Sequence, residues 1–186
     1  MRTLALVLKK TPIREYDELI TCYTELFGKR VFQAKSILRP TSKQAPHVGV
    51  FNLLDCSTVS SSNGGWPIMT SAMALQTYPS LKSNLAALAS GYFFLEVIDR
   101  AIFENQPDLD LWKFILSELG RLEKLATKNA SENVNWLANL RGRQSELAAL
   151  LGYSSPTQLE EIVGSPFRSL HLLNKVLGLK TEIVGF

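Results

Sequence analysis

Apolar and polar positions follow two different periods along this chain, and the change falls near residue 80. Before it, short apolar runs alternate with polar residues and end at turn formers. Thr3 to Lys9 is rich in Leu and Val and stops at Lys9-Lys10-Thr11-Pro12. Leu19 to Leu26 is rich in β-formers and meets Phe27-Gly28-Lys29, where Gly28 can supply the positive φ of a tight turn. Arg30 to Ser36 alternates, so Arg30, Phe32 and Ala34 share one face while Val31, Gln33 and Lys35 share the other. Val48 to Cys56 and Pro67 to Ala72 complete the set, separated by the Ser/Asn/Gly loop from Ser60 to Gly65. Five short strands over about seventy residues predict a small barrel or sandwich. Closure into a barrel is favoured because it leaves no unpaired strand edge.

From Leu81 the period becomes helical. Leu81, Leu85, Leu88, Tyr92, Leu95, Ile98 and Ile102 recur at steps of three and four, as on one face of a long helix. The stretch from Asn105 to Asp110, with Pro107, interrupts it. Leu111, Ile115, Leu119 and Leu122 form a second stripe, and Leu137, Leu140, Leu147 and Leu151 a third. Ser155-Pro156-Thr157-Gln158 has the N-cap, N1 proline and capping-box glutamine of a helix start. Ser165-Pro166 opens a last helix with Phe167, Leu170, Leu173 and Leu177 as its buried side. The expected class is α+β: a five-stranded β-barrel over residues 1–79, then an all-α helical domain over residues 80–186.

Composition supports a folded, soluble chain: 46% of the 186 residues are hydrophobic and 20% charged, enough to build a core. No window approaches the eighteen apolar residues of a membrane span, and the amino terminus lacks a secretion signal, so a cytoplasmic location is expected. Charge is divided unevenly. Residues 1–79 hold nine Lys and Arg against five Asp and Glu, a net +4, while residues 80–186 hold eleven against twelve. Between Glu25 and Asp55 there is no acid, but there are Lys29, Arg30, Lys35, Arg39 and Lys43. An acid-free basic stretch marks a surface that faces a polyanion. A solvated basic face without a partner has the same charge pattern.

Catalytic chemistry is not apparent, and no enzyme is expected. His47 and His171 have no second ligand at metal spacing, and the chain has neither a phosphate-binding loop nor a dinucleotide fingerprint. Two cysteines, Cys22 and Cys56, are too few for a four-ligand zinc site, so no metal and no cofactor are expected. Cys22 falls within a strand pattern as a small core residue. Glu96 and Asp99 could be mistaken for an acid/base pair, but a helix-packing role, pairing with Arg100 or a neighbouring helix, suits them better.

The order of short motifs resembles one family. Ala5-Leu6-Val7-Leu8-Lys9, Arg14 to Glu18, Leu19 to Thr24 and Phe27-Gly28-Lys29 are similar to the start of the RecO family of DNA recombination and repair mediators. Ala34-Lys35-Ser36, Arg39-Pro40, Ser42-Lys43 and Phe51-Asn52-Leu53-Leu54 continue the likeness. So do Tyr78-Pro79-Ser80-Leu81, Tyr92 to Arg100, and Leu147 to Leu151 before Gly152-Tyr153. Arg14 stands where the family often has Gly, Phe27 where His is frequent, and the four-cysteine zinc module of many relatives has no counterpart.

The resemblance implies an amino-terminal OB-fold joined to a helical domain. It further implies binding of single- and double-stranded DNA, annealing of complementary strands, and a nucleoid-associated location. As partners it implies RecR, with which such proteins load the RecA recombinase, and single-strand-binding protein (SSB). Lys29, Arg30, Lys35, Arg39 and Lys43 are the expected phosphate contacts, since a cationic groove tracks the backbone while aromatic faces stack on bases. Phe32 is a stacking candidate and equally a core residue by alternation. The acidic carboxyl tail of SSB would need an apolar floor with a basic rim, for which Arg121, Lys124, Arg141 and Arg143 stand beside the helical stripes. Ordinary surface charges fit the same four positions.

Overall fold

A computed structural model describes residues 1–62, 64–128, 136–158 and 175–176, without the side chains of residues 137 and 138. The expected last helix and His171 lie outside them. The described secondary structure comprises strands β1 (Arg2–Pro12), β2 (Glu18–Thr24), β3 (Gly28–Ala34), β4 (Leu53–Val59) and β5 (Ile68–Gln76). Helices α1 (Pro79–Ser83), α2 (Leu85–Ala101), α3 (Leu109–Lys128) and α4 (Trp136–Leu150) follow.

The strands close into a barrel in the order β1-β2-β3-β5-β4, the OB-fold arrangement, with β1 antiparallel to both β2 and β4. The seam between β3 and β5 is parallel and faces at one residue pair, Gln33 with Ile68, reinforced by the Gln33 amide donating to the Pro67 carbonyl at 2.8 Å. Inside lie Ala5 and Val7, Ile20 and Cys22, Phe32 and Ala34, Leu54 and Cys56, the period-two residues of four strands. In β5 the core residues are Met69 and Ala72, three apart. The pairing slips between Ser57 and Thr58, so Thr70 is an extra residue that reverses the alternation. Burial pushes the Cys56 thiol up to about 11 and the Cys22 thiol well above its usual range.

The fourth strand begins later than its apolar content predicts. Val48 to Asn52 forms turns instead, with Val48 donating to Gln44, Gly49 to His47, and Asn52 to Gly49 through backbone bonds. Phe51 takes a φ of 71°, and the Asn52 side chain donates to the His47 carbonyl at 2.6 Å. Val48 and Phe51 are apolar because they are buried, not because they are in a strand.

The chain divides into two compact units, and the division differs from the expected boundary at residue 79. One unit contains Met1–Thr77 and Ile102–Trp112; the other contains Tyr78–Ala101 and Lys113–Phe186. Residues 102–112, which the helical period assigns to the second domain, belong with the barrel. Within the barrel unit, Tyr23 donates to the Asp108 carbonyl and accepts from its amide, and its ring stacks on Trp112 at 6.3 Å. At Gly28, with φ +65°, a Cβ would lie 2.2 Å from the Gln106 carbonyl oxygen, so only glycine fits there.

In the second unit the expected long helix is broken at Asn84, whose side chain accepts from the Ala86 and Ala87 amides at the start of α2. α2 is then buried on most sides, although Leu85 and Tyr92 of the expected stripe are exposed. The Glu96–Arg100 pair forms at 2.6 Å. α4 ends in a Schellman motif: the Tyr153 amide donates to Ala148 and the Gly152 amide to Ala149, with Gly152 at φ +83°. The Gln158 amide donates to the Ser155 hydroxyl, the expected N-cap bond, while its side chain accepts from the Ser154 amide, one residue before the N-cap. None of the described helices is long and apolar enough to cross a membrane.

Replacing Gly28 with Ala is expected to lower unfolding free energy by about 2 kcal/mol or more, since strain and a backbone clash combine. Gly64→Ala, at φ +69° with open space around it, should cost about 1 kcal/mol. Urea melts of the two variants read the difference. Both thiols should react with an aromatic disulfide reagent only after unfolding, because each is buried.

Candidate nucleic-acid interface

Local bonding between two loops builds the basic surface. Asp17, at the end of the β1–β2 loop, accepts from the Ser36 amide at 2.7 Å and from the Gln33 side chain at 3.1 Å. That fixes the exit of β3, where Lys35 is exposed. The Leu38 amide donates to the Tyr16 carbonyl at 3.0 Å, and the Arg39 guanidinium sits 5.1 Å from the Tyr16 ring centroid. Gln44 donates to the Thr70 carbonyl at 2.9 Å and ties the far end of the basic loop to β5. Lys35, Arg39 and Lys43 are therefore exposed on one anchored loop.

Lys29 and Arg30 occupy different environments. Alternation places Lys29 on the face of β3 shared by Lys35 and puts Arg30 on the inward face, at the barrel mouth. Both are half-buried. The Arg30 Nη1 donates to the Asn105 side chain, and its ring neighbour is Phe27 at 5.9 Å. Its Nε is buried and has no acceptor. Phe32 is fully buried in the barrel core, so of its two sequence readings it takes the core one and offers no face to a base.

Beside Arg30 lies a feature the residue pattern did not single out. A cleft of about 330 Å³ is lined by Arg30, Val31, Gly64, Gly65, Trp66, Pro67 and Glu104. Trp66 is 50% exposed. The available signal was its position in Gly64-Gly65-Trp66-Pro67, outside every periodic run, where no core demand accounts for an indole.

In the helical unit the four expected rim residues separate into two kinds. Glu118 is buried, and its carboxylate accepts from Arg121 at 2.5 and 2.8 Å and from Arg143 at 2.7 Å. Arg121 also donates to Asn139 at 3.1 Å, Arg143 pairs with Glu146, and the Arg143 guanidinium lies 4.5 Å from the Phe114 ring centroid. Lys124 and Arg141 are exposed. Among the described residues no group of three or more His, Cys, Asp and Glu could hold a metal ion.

Comparison with known proteins agrees with the resemblance. The profile described as Recombination protein O N terminal matches residues 1–78, which include all of the barrel unit's first segment. Residues 1–78 thus resemble the amino-terminal domain of RecO. The DNA repair protein RecO of Nostoc punctiforme is 28% identical over 152 residues, covering 82% of this chain and 49% of the relative. That of Synechococcus sp. is 29% identical over 157 residues, covering 84% and 57%, and that of Geobacter metallireducens is 27% identical over 169, covering 88% and 68%. The chain spans about half the length of the first two of these RecO relatives.

Arg143→Ala should destabilise the fold by about 2 kcal/mol, because Glu118 stays buried with one cation fewer. Lys124→Ala should stay within about 0.5 kcal/mol of the parent. Chemical denaturation of the two variants checks both values.

Proposed function

We propose that this chain is a RecO-family protein that acts in DNA repair as a non-catalytic recombination mediator whose barrel holds DNA by its phosphates. The observation that carries the reading is the anchored loop exposing Lys35, Arg39 and Lys43 in a segment without acids. Three exposed cations held by the β1–β2 loop offer a polyanion fixed charges at little ordering cost. Lys29 and Arg30 extend the charge along β3. Phosphate contact of this kind serves single and double strands alike, since it carries no base information. A protein that holds two strands by their phosphates leaves base edges free to pair, which suits annealing of complementary strands.

The family relationship supports the finer parts of the proposal: cooperation with RecR, and recombinase loading on DNA coated by SSB. Docking of the acidic SSB tail is proposed at the helical unit, with Arg121, Lys124, Arg141 and Arg143 as its basic rim. Arg121 and Arg143 also hold Glu118.

The test is salt dependence. Affinity for a labelled oligonucleotide should fall linearly on a log–log plot, by about 0.7 per phosphate contact for single strands and about 0.9 for duplex. Lys35→Ala with Arg39→Ala should reduce the slope by roughly one to two units and weaken all sequences equally. Stability should barely change, as both side chains are exposed. An unchanged slope would remove these two residues from the interface. Absence of any binding would favour a protein-interaction adaptor instead.

A further inference from the structure

We propose that the cleft beside Trp66 receives an unpaired nucleobase, stacked on the indole, and that this pocket makes the barrel favour single-stranded over duplex DNA. The proposal rests on the DNA-binding reading and adds to it a group that touches bases rather than phosphates.

Trp66 is half exposed, and the backbone directly after it is tied to the sheet. Pro67 fixes its own φ, and its carbonyl accepts the Gln33 amide at 2.8 Å, so the loop is pinned to β3 directly after the indole. Trp112 and Trp136, by contrast, are 4% and 7% exposed. A large aromatic ring left half in water contributes little to the fold but forms a ready stacking platform.

The space beside it is kept open. A Cβ at Gly64 would meet nothing within 4 Å, and one at Gly65 only the Ser61 hydroxyl at 3.5 Å. A planar ring can approach the backbone there with no Cβ of residues 64 and 65 in its way. A second cleft of about 250 Å³, bordered by Thr58, Val59 and Ser60, shares Arg30 and Pro67 with the first.

The polar groups select a base over a phosphate. Arg30 brings guanidinium donors, one of them bound to Asn105, and Glu104 brings a carboxylate acceptor. Glu104 would repel a phosphate or an acidic peptide, whereas a base edge presents both acceptors and N–H donors. In duplex those edges are paired and the faces stacked, so entry requires an unpaired strand. Lys35 lies five residues along β3 from Arg30, roughly 16 Å. One strand can therefore lay phosphates on the basic loop and turn a base into the cleft.

Intrinsic fluorescence and affinity together test this on the full chain. Binding of a thymidine oligonucleotide, followed separately by anisotropy of a labelled copy, should quench tryptophan emission. Trp66→Ala should abolish the quenching, lower single-strand affinity roughly tenfold and reduce the ratio of single-strand to duplex affinity by the same factor. Trp66→Phe should recover most of that affinity. The parent should also bind an abasic strand roughly tenfold more weakly, a difference that Trp66→Ala removes. Anisotropy that reports binding with unchanged emission overturns the stacking pocket and leaves phosphate binding standing. Equal loss of single-strand and duplex affinity in Trp66→Ala does the same. No anisotropy change with either DNA overturns both readings.

Discussion

Closure of the sheet at the β3–β5 seam is the constraint on which the rest of the barrel unit depends. β2 and β3 face each other along seven residue pairs, but β3 and β5 meet at one, with a backbone bond from Gln33 to Pro67 beside it. Without that seam β3 and β5 would be free edges, each presenting unpaired backbone groups. The seam also sets where the site lies. It ties the loop carrying Trp66 to β3 at Gln33, two residues before Lys35 leads into the basic loop.

Two small devices let a short sheet close around a packed core. The extra residue Thr70 in β5 and the slip between Val7 and Lys9 in β1 change the local alternation, so each strand can bend while still feeding side chains inward. The segment 102–112 then braces the turn between β2 and β3 through Tyr23, Trp112 and the close approach at Gly28. The turn from which Lys29 and Arg30 emerge is held from both sides, so their position is a property of the fold rather than of a free loop.

The two halves use charge differently. In the barrel unit the cations of residues 35–43 are exposed, and Asp17 spends its carboxylate on the backbone and side chain that orient them. In the helical unit Glu118 draws two arginines inward, where they stabilise the packing of α3 and α4. Residue type alone cannot distinguish these uses. An arginine beside an apolar stripe is equally a rim for a partner and a neighbour for a buried carboxylate, and only the position of Glu118 separates them.

The sequence by itself determined the two periods and hence the fold class, because period-two and period-3.6 burial leave different signatures in the chain. It also determined the turn at Gly28, the Glu96–Arg100 pair, the capping box near Ser155 and the acid-free run, all of which are local. Tertiary structure decided the rest. Val48 to Phe51 is apolar in the way of a strand, yet it folds as a buried turn, since burial asks for apolar residues whatever the backbone does. Residues 102–112 join the barrel through partners some eighty positions away at Tyr23, which no local pattern records. Phe32 and Arg30 share a face of β3, but where the barrel core ends fixes one as packing and leaves the other at the mouth. Trp66 became visible only when closure set its loop beside β3, because exposure is a property of what surrounds a residue, not of its neighbours in the chain.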